Sequence, residues 1–294
     1  MKYSVTHTTR YDYPGDVAIG YNIVHLQPGN WTGQTCEKFR LLVTPEPLSI
    51  TQRTDYFGNQ SAQFNVEQPH RRLTITAKCV VDVERPEPPE YSTTSPWETI
   101  VAALVETATQ EELDAVQFAC PSPGISAFSG LEEYARISFP AGRPILEASV
   151  DLTRRIFEEF KYDPNATSVT SEIREAFEKR SGVCQDFAHF QIGCLRSLGI
   201  PARYVSGYIR TIPPEGQEAL VGADASHAWA SVWCGRAIGW VDLDPTNNQI
   251  VSNDHITVAI GREYSDVCPV KGVIVGNAAQ SLAVAVSVEP IGDK

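Results

Sequence analysis

No run of about 18 consecutive apolar residues occurs in this chain, so the sequence offers no conventional membrane-spanning helix. The opening residues, Met1-Lys2-Tyr3-Ser4-Val5-Thr6-His7, alternate and lack the continuous apolar stretch of a secretory signal, so a cytoplasmic protein is expected. Positive charge is short as well: 24 Lys and Arg face 36 Asp and Glu, a net charge of −12. So acidic a surface argues against nucleic acid and anionic membrane as main partners. No C-x-x-C pair occurs among the seven cysteines, Cys36, Cys79, Cys120, Cys184, Cys194, Cys234 and Cys268. An odd, widely spaced set is expected to be reduced thiols, and without paired ligands no structural zinc is expected. Internal repeats and low-complexity segments are also missing.

What is present suffices for a packed interior. The 294 residues are 42% hydrophobic and 20% charged, a length comfortable for two domains. Residues 1–84 read as an N-terminal β-rich domain. Tyr3, Val5, His7, Thr9, Tyr11 and Tyr13 share one face of a strand, which Pro14-Gly15 is expected to end. His7 reads as a packed residue on that aromatic face. Further strands are expected at 39–43, 61–66 and 73–83, with a turn at Phe57-Gly58-Asn59. Residues 85–145 read as linker and helical connection. Arg85-Pro86-Glu87-Pro88-Pro89-Glu90 favours an extended path, one helix is expected over 97–116, and Pro121-Ser122-Pro123-Gly124 breaks the chain again.

Residues 146–294 read as an α+β core closing on a C-terminal strand. Leu152, Ile156 and Phe160, widened by Val150 and Phe157, predict a helix over 145–160. A short helix capped by Ser171 follows, with Glu172 and Glu175 in its first turn, Lys179 and Arg180 in its last, and Gly182 after it. A third spans 184–198, stopped by Gly199 and Pro201. Strands are expected at 203–210, 227–233, 240–243 and 282–288, the last crossing back to the N-terminal sheet. The loop Ile212-Pro213-Pro214-Glu215-Gly216-Gln217 reads as a flexible cleft edge.

The chemistry concentrates in three segments. Cys184 opens a helix just after a glycine, where unpaired backbone N–H groups and the helix dipole favour a thiolate and can hold an oxyanion. His227 lies on a strand and shares a face with Trp229, which can shield it from water. Asp242 and Asp244 are two apart and face the same way, so periodicity leaves both open as partners for the histidine; Asp244 precedes Pro245, which ends the strand. A thiol, a base and an orienting carboxylate are the parts of nucleophilic catalysis. Gln185 could support an oxyanion or simply pack, and Tyr162 could line the cleft or pack. His189, Asp186 and Asp224 read as structural hydrogen-bonding groups. Asp254-His255 alone makes no metal site.

Taken together, Gly182-Val183-Cys184-Gln185-Asp186-Phe187-Ala188-His189, Asp224-Ala225-Ser226-His227-Ala228-Trp229 and Gly239-Trp240-Val241-Asp242-Leu243-Asp244-Pro245-Thr246-Asn247 resemble the bacterial transglutaminase-like family, whose members are often described as candidate cysteine proteases. The segment from Tyr3 through His25-Leu26-Gln27-Pro28 is similar to the β-rich domain that precedes the core there, and residues 254–267 to its tail. The resemblance implies a papain-like core behind an N-terminal all-β domain. It also implies a Cys184-His227-Asp244 triad, with Asp244 favoured over Asp242 because it stands just before Pro-Thr, and no cofactor or calcium requirement. The expected activity is a thiol hydrolase cutting an amide or isopeptide bond of a peptide or protein through a thioester. Its alternatives are a transglutaminase-type acyltransferase joining a glutamine side chain to an amine, and a binding module without chemistry.

Overall fold

The computed structural model describes residues 1–106, 109–168, 171–211, 225–276 and 279–292. Five strands come first: β1 (Lys2–Gln27), β2 (Gln34–Thr44), β3 (Ile50–Thr54), β4 (Gln60–Val66) and β5 (His70–Val83). Helices α1 (Trp97–Ala103), α2 (Gln110–Val116), α3 (Ser129–Ser138) and α4 (Ile145–Glu159) follow. Then come β6 (Lys161–Tyr162), α5 (Ile173–Lys179), β7 (Ser181–Gly182), α6 (Cys184–Ser197), β8 (Ala202–Ile209), β9 (Ala225–Trp233), β10 (Trp240–Asp244) and β11 (Gln249–Ile250). The chain closes with β12 (His255–Gly261), α7 (Tyr264–Val267), β13 (Val270–Gly276) and β14 (Ser281–Pro290). This is the α+β, papain-like arrangement the sequence predicts, behind a β-rich N-terminal region.

The N-terminal sheet runs β2-β5-β1-β4-β3, and β13 and β14 also pair with β1. β1 carries the alternation of its sequence: Tyr3, Val5, His7 and Thr9 are buried, while Lys2, Ser4, Thr6 and Thr8 are half-buried. It does not end at Pro14-Gly15. The pairing with β5 steps from Asp12↔Arg72 to Val17↔His70, so the dipeptide sits in a bulge and the strand continues for 26 residues. A bulge is where a sheet tolerates a residue without an N–H. The first half of β1 lies between β5 and β14, the second half between β4 and β13.

Four other local expectations need correction. The helix over 97–116 is two, because Thr109 starts a new one: its hydroxyl accepts the Glu112 N–H while the Glu112 carboxylate accepts the Thr109 N–H. Helix α3 answers to no expectation from the sequence, although Leu131, Tyr134, Ala135 and Ser138 recur at i, i+3, i+4 and i+7 and form its buried stripe. Phe157 is exposed on α4, where Ala148, Leu152 and Ile156 carry the buried stripe. Ser171 does not cap α5, because its hydroxyl accepts the Ser168 N–H; Glu172 holds the cap position, and the helix stops at Arg180 in a left-handed conformation (φ 51°) before Gly182 is reached.

The second sheet runs β11-β10-β9-β8-β12, and helix α6, buried from Asp186 to Arg196, packs on it. Its edge strand β12 would leave backbone groups unpaired, and two buried amides from the N-terminal region satisfy them. Gln34 accepts the Thr257 N–H (2.8 Å) and donates to the Thr257 carbonyl (2.7 Å). Asn59, presented by the Phe57-Gly58-Asn59 turn, does the same for Ile260, at 2.7 Å each way. One apolar core takes Tyr3, Val5, Val81 and Val83 together with Phe187, Tyr208, Trp233 and, from β14, Val286 and Val288. The two sheets therefore share an interior across residue 84.

Candidate active site

Cys184 is placed by the way α6 begins. Val183 is extended (φ −113°, ψ −179°) and Asp186, one turn into the helix, accepts its N–H at 2.8 Å. Thr167 donates a second hydrogen bond to Asp186 at 2.6 Å, and burial raises the Asp186 carboxyl. Gly182 is required there, since a Cβ would lie 2.5 Å from an Asp186 oxygen. The same glycine pairs with Tyr162, so the strand pair β6 and β7 fixes the approach to the thiol.

His227 stands on β9 opposite Gly207 of β8. No side chain fits at Gly207, where a Cβ would meet the Ile256 carbonyl at 2.3 Å and the Trp229 ring at 2.4 Å. Asp244 ends β10 and is fully buried. His227 Nε2 lies 2.8 Å from Asp244 Oδ2, and the imidazole shares the cavity wall with the Cys184 thiol, whose proximity also favours the charged ring. The next residues secure the carboxylate: Thr246 N–H (2.9 Å), Asn247 N–H (3.3 Å) and Asn247 Nδ2 (2.7 Å) all donate to it. Burial opposes charge on both partners, but the hydrogen bonds and opposite charges outweigh it. Asp244 is held below the usual carboxylate range and His227 is raised well above the usual imidazole value.

His255 completes this network, and no sequence signal short of the tail segment pointed to it. Fully buried on β12, it accepts the Ser252 N–H at Nδ1 (3.3 Å), which places its hydrogen on Nε2, 3.1 Å from Asp244 Oδ2. His227, Asp244 and His255 thus present three potential ligand atoms within 4.8 Å of one another. Their mutual hydrogen bonds account for that closeness, and a metal would have to displace the Nε2 hydrogen of His255.

Asp242 faces the same way as Asp244 but serves another residue: the indole N–H of Trp229 donates to it at 3.2 Å. Trp229 is fully buried, with its ring 6.0 Å from His227 and 5.3 Å from His255, so it screens the imidazoles from water. Gln185 lines the cavity beside the thiol. Tyr162 is half-exposed, outside the cavity wall, with its ring edge against Phe187. His189 accepts the Tyr264 N–H at 3.1 Å and is held neutral, its pKa lowered to about 4 by burial. His7 is packed, as expected, and burial lowers it to about 4 too. Asp224 and the loop 212–217 lie outside the described residues.

A cavity of about 320 Å³ opens on Cys184 and His227. Its walls come from both sheets: Tyr204 and Ser206 of β8 on one side, His7, Thr9 and Tyr11 of β1 with Leu282 and Val284 of β14 on the other.

Comparison with known proteins bears on the family and the fold. Residues 3–82 match the family described as bacterial transglutaminase-like N-terminal region, and residues 136–245 match the transglutaminase-like superfamily. An uncharacterised protein of Mycobacterium tuberculosis is 41% identical over 98% of this chain and 93% of its own length. A protein-glutamine gamma-glutamyltransferase of Pseudomonas aeruginosa is 38% identical over 98 residues, 32% of this chain and 14% of that one. In fold, the crystal structure of a candidate cysteine protease from Cytophaga hutchinsonii superposes with a TM-score of 0.76 at 20% identity, covering 100% of this chain and 92% of that one.

Proposed function

The chain belongs to the bacterial transglutaminase-like family, and from that premise we propose that it is a thiol hydrolase cleaving an amide or isopeptide bond with Cys184, His227 and Asp244. The observation that carries this reading is the 2.8 Å hydrogen bond from His227 to Asp244, with His227 and the Cys184 thiol side by side in the wall of one cavity. His227 takes the thiol proton and Asp244 stabilises the imidazolium that results. The sulfur attacks the carboxamide carbon, forming a C–S bond. N–H groups at the start of α6, with Gln185 beside them, face the oxygen that gains charge. The C–N bond breaks as the imidazolium gives its proton to the departing nitrogen. Water, deprotonated by His227, then cleaves the thioester and restores the thiol. The balance is amide plus water giving acid plus amine.

Acyl transfer to an amine uses the same first half. It is favoured as a second reading by the 98-residue similarity to the gamma-glutamyltransferase. Hydrolysis asks less of the site, because water needs no acceptor pocket. Glutamine-containing peptides incubated with and without a fluorescent primary amine separate the two. The expected result is ammonia or amine release independent of the added amine, abolished by Cys184→Ala. Product formation that requires the amine and labels the peptide replaces hydrolase with transferase. Turnover unaffected by Cys184→Ala removes both.

A further inference from the structure

We propose that the cavity beside Cys184 selects acyl donors whose group next to the scissile bond is neutral and apolar, and that paired strands β1 and β14 supply the selecting wall. This inference rests on the thiol-enzyme reading above and deepens it to a substrate class.

The composition of the wall carries the argument. Tyr11, Leu282 and Val284 face Tyr204 and Tyr264 across the space, and among the described residues no Lys, Arg, Asp or Glu lines it. From the N-terminal side His7 lines it too, and both its ring nitrogens are engaged, Nδ1 with the Tyr208 hydroxyl (3.1 Å) and Nε2 with the Thr9 hydroxyl (2.9 Å). Its lowered pKa keeps it neutral above about pH 4. A charged group entering would lose its water and, beyond the Cys184–His227 pair, whose imidazole is already held by Asp244, find no counter-charge, which costs far more than an apolar group gains by entering. At about 320 Å³ the space is at the small end of ligand pockets, sized for one side chain or a compact acyl group.

The wall is also built as a unit. Tyr11 lies directly opposite Leu282, and Thr9 opposite Val284, across the β1–β14 ladder. Leu282 is 57% exposed and Val284 49%, while Val286 and Val288 further along the same strand are buried in the core. Two exposed aliphatic side chains at the rim of a cavity that contains the thiol are surface that a bound apolar group would cover. The two ends of the chain are thereby made part of the site.

The test uses the full chain and needs no known substrate. Rates of Cys184 alkylation, read by peptide mass spectrometry and normalised to the same reagent with glutathione, are compared for iodoacetamide, N-benzyl iodoacetamide, and N-benzyl reagents bearing a para carboxylate or a para aminomethyl group. The neutral benzyl reagent is expected to exceed both charged ones by about tenfold or more, on the usual discrimination of an apolar pocket. Leu282→Glu with Val284→Glu, both at half-exposed positions, is expected to abolish that advantage, read within the variant as the ratio of the neutral benzyl rate to the two charged ones. Equal normalised rates for the three benzyl reagents, with iodoacetamide still reacting at Cys184, overturn the selection and leave the thiol reading standing. A Cys184 unreactive even toward iodoacetamide overturns both.

Discussion

Asp244 is the side chain on which the site converges, accepting from His227, His255, Asn247 and two backbone N–H groups. Asp244→Asn turns one oxygen into a donor that meets other donors, so activity is expected to fall about 1000-fold or more. Stability should fall by about 3 kcal/mol, as when one partner of a buried pair is removed. Because Asp244 is depressed in the folded state, its contribution is present above the ordinary carboxylate pKa and lost as pH falls through the folded value. Because His227 is raised, its contribution is present below the ordinary imidazole pKa and lost as pH rises through the folded value. The deficit of the variant is therefore largest between about pH 5 and 6.5, which urea unfolding across pH 4 to 9 would read. His255→Ala is expected to lower kcat about tenfold with KM unchanged, and His255→Gln, which retains a donor, to recover most of it. Unchanged kinetics in the alanine variant would show that the remaining donors hold Asp244 unaided. The sequence singled out Cys184 and His227 through the elements they start or sit on. Periodicity left Asp242 and Asp244 equivalent, because a strand's period cannot tell neighbours two apart, and only the resemblance favoured Asp244; the difference lies in what each meets, Trp229 or His227. His255 was illegible because its role depends on β12 lying on the far side of β8, a pairing no local pattern encodes.

At the scale of the element, the start of α6 matters most. Asp186 holds the Val183 N–H and so fixes the turn that presents Cys184. Asp186→Ala is expected to cost about 1 kcal/mol, the usual value of a lost cap, and to slow Cys184 alkylation with Cys120 unaffected. An unchanged rate would mean that Gly182 and its pairing with Tyr162 set the turn alone. Elements with a strong period, such as α4, α6 and β14, were legible to within a residue or two. The misreadings came where a local signal has two outcomes. Pro-Gly is a turn in isolation and a bulge when strands on both sides hold the chain in register. Ser171 is a capping residue by type, but its hydroxyl had a nearer N–H to accept.

Across the whole molecule, burial of neutral histidines sets the acid limit. His7 ties β1 to Tyr208 of the second sheet and His189 ties α6 to the segment carrying Tyr264. Both are lowered to about 4, so below the ordinary imidazole value the unfolded chain binds protons that the folded chain refuses. Stability should decline as pH falls from about 6.5 to 4, by up to about 3 kcal/mol for each. His7→Gln should flatten that slope by about half, measurable by urea unfolding at pH 7 and pH 4.5. An unchanged slope would assign the acid limit elsewhere. The shared core and the Gln34 and Asn59 clips make this coupling global: the N-terminal sheet covers the β12 edge that carries His255 and walls the cavity that Cys184 faces.

The most direct test of the central claim is the alkylation of Cys184 by iodoacetamide from pH 5 to 9, mapped cysteine by cysteine, in the native protein and in His227→Ala. A thiol paired with His227 should be labelled at pH 6 at least about tenfold faster than the exposed Cys120, and should lose that advantage in the variant. If Cys184 labels no faster than Cys120 at pH 6, or is indifferent to the loss of His227, the chain does not hold an activated thiol and the hydrolase reading is wrong.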